Sequence, residues 1–150
     1  MIRLISFFPV CLCLVAGCGP PDGQRPTAPV EVTVTYQGKP VDGATVTFVT
    51  SVEPMAANGI TDAQGIAQLS TYGVKDGAVI GSNLVTITKT EVDNNAKKKE
   101  VPPDQADMVG YTPLTPLKSL LPKKYEMPGS SGLTGEVKSG KNKFSFDLKD

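Results

Sequence analysis

From Val30 the sequence alternates: Val30, Val32, Val34 and Tyr36 are interleaved with Glu31, Thr33, Thr35 and Gln37. Successive side chains of a strand point to opposite faces, so this period of two predicts a half-buried strand with the valines and the tyrosine inward. The signal returns along the chain. Residues 44–51 put Ala44, Val46 and Phe48 on one face, 66–72 put Ala67 and Leu69 inward, and 84–89 do the same with Val85 and Ile87. Near the end, a strand over 133–138 precedes Phe144, Phe146 and Leu148, which alternate with Ser145 and Asp147. A seventh strand is expected around 54–60. Glycine, proline and aspartate mark the connections: "QGKPVDG" at 37–43, "TDAQG" at 61–65, "GVKDGAVIGSN" at 73–83 and "SGKN" at 139–142, the last read as a hairpin turn. No 3.6-residue period of helical length interrupts them. Short alternating strands with such turns predict an all-β antiparallel sandwich or barrel.

Composition then excludes chemistry. The 150 residues are enough for one domain, and 15 basic residues balance 15 acidic ones. No basic surface of the kind nucleic acid demands is indicated. There is no histidine and no tryptophan, and all three cysteines lie at or before residue 18. Histidine-based triads, proton shuttles and metal ligands are therefore unavailable, and beyond residue 18 so are intramolecular disulfides, zinc thiolates and thiol nucleophiles.

The first residues read as an address. Arg3 precedes an apolar run over 4–16 that is too short to span a bilayer, which takes about 20 residues, and that suits a secretory signal. Cys11 and Cys13 are small hydrophobes within it. Val15-Ala16-Gly17-Cys18 resembles the bacterial lipobox, an aliphatic residue and two small ones before a cysteine. That resemblance implies cleavage between Gly17 and Cys18, a lipid on Cys18, and attachment to a membrane through acyl chains, each buried CH₂ contributing about 0.8 kcal/mol. Gly19 in place of an aspartate favours the outer membrane. Residues 1–17 are thus expected to be a signal peptide, and 18–29, with the proline-rich "GPPDGQRPTAP", a lipidated cysteine and an extended tether.

The body, 30–150, carries a second resemblance. "GKPVDGATVTF", then "TDAQGIAQL", then "NLVTIT" resembles, in order, the motifs of the carboxypeptidase regulatory-like or transthyretin-like β-sandwich found in small planctomycete-type lipoproteins. Asn83 stands where that family has tyrosine. The resemblance implies an antiparallel Ig-like or transthyretin-like sandwich of about seven strands, with a loop insertion at about 91–131. Within the insertion, "NNAKKKE" reads as a solvated loop tip. Thr115 and Pro116 suit the start of a short helix, with Leu117, Leu120 and Leu121 facing the sandwich and Pro122 ending it.

Carboxylates are the remaining acid–base resource. Asp42 and Asp62 sit where turns use aspartate, Asp76 lies in a loop, and Asp93, Asp104 and Asp107 match no calcium loop. The purine-degrading enzyme among transthyretin-like proteins needs histidines that this chain lacks. No catalytic residue, cofactor or metal is expected. The reading is a non-catalytic module of the cell envelope, with the membrane as partner through Cys18 and an envelope protein or glycan as its ligand, and no nucleic acid. A small-molecule carrier with a pocket between the sheets is the alternative, and a carboxylate hydrolase comes last. Convergence of Tyr72, Tyr111 and Tyr125 would favour a glycan.

Overall fold

A computed structural model describes residues 23–51, 55–95 and 116–150 of the chain. The body is an all-β sandwich. Its strands are β1 (Thr27–Ala28), β2 (Val30–Tyr36), β3 (Lys39–Pro40), β4 (Thr45–Thr50), β5 (Ala56–Ile60), β6 (Ile66–Gln68), β7 (Ala78–Val79), β8 (Gly81–Thr88), β9 (Thr90–Val92), β10 (Leu117–Ser119), β11 (Leu133–Val137) and β12 (Asn142–Leu148). One sheet has the order β11-β8-β4-β5; the other is β12-β2-β3, with β6 also pairing β2.

The alternation predicted from sequence builds the core. Val32 and Val34 of β2 and Leu148 of β12 face Val46 and Phe48 of β4 and Val85 and Ile87 of β8, all with no exposed surface. Phe48 joins the two layers, its ring 5.3 Å from Phe144 and 6.4 Å from Phe146. Full burial of such a side chain stabilises by about 1.5–3 kcal/mol. β11 would crowd that ring with any side chain at its centre. A Cβ at Gly135 would lie 2.6 Å from Phe48 Cε2, so glycine makes the room.

Turn chemistry sets the registers. Gln37 and Gly38 take φ of 51° and 76° between paired Tyr36 and Lys39. Positive φ at both positions of a two-residue loop matches strand twist, and the β2–β3 hairpin follows. In the next turn, Asp62 Oδ1 accepts from the backbone N–H groups of Gln64 and Ile66, each at 2.9 Å. Thr61, 3% exposed, holds the base of that turn: its hydroxyl donates to Val41 O at 2.6 Å and accepts from Ala44 N–H at 2.8 Å.

Several expectations are corrected. β12 runs parallel to β2 over its whole length, with Asn142 opposite Val30 and Leu148 opposite Tyr36, so the sandwich is not wholly antiparallel. "SGKN" is accordingly no hairpin turn but a crossover between sheets, because β11 pairs β8 while β12 pairs β2. Asn142 closes that crossover, accepting from Lys138 N–H and donating back to Lys138 O. The expected loop over 73–83 contains β7 and the start of β8. The last residues of the expected tether belong to the body. β1 pairs β7, Ile80 N–H donates to Pro26 O, and Ala28 is buried. The strand around 54–60 is present as β5. The helix expected from Thr115, itself outside the described residues, is replaced by β10, which pairs β9. Leu117 points to solvent at 64% exposed, and only Leu121 of the three leucines is buried. Backbone pairing with Thr90, Glu91 and Val92 outweighs the local helix signal of Thr-Pro. A 3₁₀ turn, Lys123–Glu126, and a one-turn helix, α1 (Pro128–Ser131), follow Pro122.

A candidate lysine-lined cleft

At one end of the sandwich the starts of β2 and β12 lie side by side, and β6 and the loop after it border them. Together they enclose a cleft of about 270 Å³ lined by Pro29, Val30, Glu31, Gln68, Lys75, Lys141, Asn142 and Lys143. Three lysines and one glutamate therefore line it. Lys143 Nζ lies 2.8 Å from Glu31 Oε1, and that hydrogen bond, then the carboxylate's charge, hold the ammonium above its ordinary value.

Lys75 is placed there by its backbone. Its φ is 58°, in the left-handed region that a residue with a Cβ rarely adopts. The loop over-determines this conformation. Asp76 accepts from the N–H groups of Thr71, Tyr72 and Gly73 at 2.7–2.9 Å, and Lys75 N–H donates to Ser70 Oγ at 2.8 Å. Partial burial raises the Asp76 pKa, but the backbone hydrogen bonds together outweigh it and leave the carboxyl below its ordinary value. Next in line, Gly77 has φ of 88°, and a Cβ there would sit 1.7 Å from Ala28 O, so only glycine lets this loop dock on β1.

A second cleft, about 340 Å³, opens at the other end among Tyr36, Gln37, Lys39, Pro40, Val41, Lys89, Leu120 and Leu121. Two of its polar groups are already engaged: Tyr36 Oη donates to Asp150 Oδ1 at 2.5 Å, which pushes the phenol up, and Gln37 Nε2 donates to Asp150 Oδ2 at 2.7 Å. Among the described residues the space between the sheets is filled by the core valines, Phe48, Ile87 and Leu148.

The residues singled out from sequence are scattered. Gly17, Cys18, Asp104, Asp107, Tyr111 and most of "NNAKKKE" lie outside the described residues. Asp42 is exposed in its turn, Asp62 and Asp76 brace loops, and Asp93 accepts from Asn95 N–H at 3.0 Å. Tyr125 is buried, its hydroxyl accepting from Lys149 N–H and donating to Lys149 O, so it offers no face to a sugar. Tyr72 uses its hydroxyl to accept from Arg25 N–H. Asn83 is buried and straps β7 to β8, donating to Val79 O at 3.1 Å and Gly81 O at 2.8 Å, while its Oδ1 has no partner among the described residues. No group of three or more cysteine, aspartate and glutamate side chains among the described residues is placed to hold a metal ion. The cleft lysines come from two separate segments, and no local sequence pattern marks them.

The fold defines the chain as a member of the all-β sandwich class. Comparison with known proteins finds no family model, no curated protein and no solved structure that matches it.

Proposed function

We propose that this chain is an exported lipoprotein, anchored through Cys18, whose sandwich is a non-catalytic binding module of the cell envelope, and that the lysine cleft takes an acidic envelope glycan. The observation that carries the reading is Lys75, held at the cleft in a costly backbone conformation beside Lys141 and Lys143. Strain of this kind, about 1–3 kcal/mol, persists only where surrounding bonds enforce it, and it clusters at functional sites. Three cations beside one anion favour a carboxylate-bearing ligand, with affinity that falls as salt rises. The lipobox-like sequence and Gly19 support placement at a membrane facing away from the cytoplasm, the outer membrane where the cell has one.

Titration calorimetry with polygalacturonate tests the cleft. Binding that weakens with salt and with Lys75→Ala plus Lys141→Ala is expected; binding indifferent to both substitutions would overturn the assignment. The anchor is tested separately by metabolic labelling with a palmitate analogue. Label is expected on the parent chain and lost in Cys18→Ala, and a labelled Cys18→Ala chain would sink the anchor.

A further inference from the structure

β12 is an edge strand, and its ladder with β2 shows which of its backbone groups are unused. Asn142 N–H donates to Pro29 O, and Leu148 O accepts from Gln37 N–H, at 2.9 and 3.0 Å. In a parallel pair a residue directs both of its groups to one side, and its neighbours direct theirs to the other. Asn142, Phe144, Phe146 and Leu148 thus face β2, and Lys143, Ser145 and Asp147 turn their N–H and C=O outward. Among the described residues no other strand pairs with that edge. Its two ends are closed by the Asn142 side chain at one and by Tyr125 on Lys149 at the other.

The open stretch is complementary to itself. In antiparallel pairing about Ser145, Lys143 falls opposite Asp147 of a second copy, and Asp147 opposite its Lys143, all on the exposed face. The same register sets Phe144 against Phe146 of the other copy on the inner face. Both phenylalanines are only partly buried and lie stacked, with planes 5° apart. Parallel pairing would instead set lysine against lysine. A lysine on an edge commonly discourages pairing, but the order of plus, neutral and minus here repels one orientation and attracts the other. We propose that β12 pairs with β12 of a second copy of this chain, antiparallel, about a two-fold axis at Ser145, extending the β12-β2-β3 sheet across both copies. This does not require a ligand in the cleft, whose Lys75 and Lys141 take no part in it; Lys143, which lines the cleft beside Glu31, is shared.

Opposed residues of a hydrogen-bonded antiparallel pair have Cα atoms about 5.5 Å apart, within disulfide range. In the full chain, expressed with its own leader, Ser145→Cys is expected to give a reducible dimer under mild oxidation. The parent chain and Glu136→Cys, on the other sheet's edge, are expected not to. No dimer from Ser145→Cys, or equal dimer from Glu136→Cys, would overturn the proposal. Charge exchange tests the register. Lys143→Asp and Asp147→Lys each bring like charges together twice, and each is expected to weaken dimerisation by about tenfold, read by sedimentation in detergent. The double variant is expected to restore it, and a double variant as weak as the singles would overturn the register.

Discussion

The two long sides of the sandwich are finished differently. On one side the sheets are stitched together: Asn58 of β5 exchanges both backbone hydrogen bonds with Ser70, just beyond β6, each at 2.9 Å. Approach there is so close that a Cβ on Gly59 would lie 2.7 Å from Gln68 O. On the other side, β11 and β12 belong to different sheets and do not pair, and between them lie the rings of Phe48, Phe144 and Phe146. One side is closed by backbone, which cannot yield. The other is filled by side chains, which can.

That contrast predicts an order of effects. Gly59→Ala drives a methyl group into a backbone carbonyl and into Leu69 Cδ2 at 3.0 Å, and is expected to cost about 3 kcal/mol, read by urea unfolding. Thr61→Val on the same side keeps the shape but strands the Ala44 N–H and the Val41 carbonyl, with an expected loss of about 2 kcal/mol. Gly135→Ala meets side chains and no backbone, the Phe48 ring at 2.6 Å and the edge of half-buried Phe144 at 3.4 Å, and these rings can shift, so about 1 kcal/mol is expected. A larger loss for Gly135→Ala than for Gly59→Ala would break the distinction. The smallest effect is acid sensitivity. Asp76, beside the closed side, and Asp147, on the open edge, both titrate below the ordinary 3.8. The Thr35 hydroxyl and then Gly38 N–H lower Asp147. A depressed folded value means stabilisation that is full above 3.8 and lost as pH falls through the lower folded values. Asp76→Asn is expected to flatten acid unfolding below pH 4 more than Asp147→Asn, because Asp147 is exposed.

What was legible in the sequence follows the same division. Period-two alternation marks which face of each long strand is buried, and Val32, Val46, Phe48, Val85 and Ile87 are all where that rule puts them. Asp62 was legible as a turn-former because its acceptors and donors are sequence neighbours. Alternation carries no information about which strand lies alongside, so the parallel partnership of β2 and β12, 112 residues apart at Thr35 and Asp147, could not be read locally. β1 and β7 are two residues long, too short to show a period, and prolines flank β1. The lysine cleft is a product of those two illegible pairings. β12 brings Lys141 and Lys143 to the start of β2, and β1 with β7 fixes the loop that carries Lys75.

The parallel β2–β12 pair also gives the module a mechanical direction. On the anchored reading, tension from the membrane first loads the two-residue β1–β7 pairing and then reaches the head of β2, while a companion gripping β12 resists the other way. Two parallel strands pulled from opposite ends slide rather than peel, so the load falls on the whole seven-residue register at once. A tethered domain wired this way holds against a tug along its leash and yields first to a sideways one.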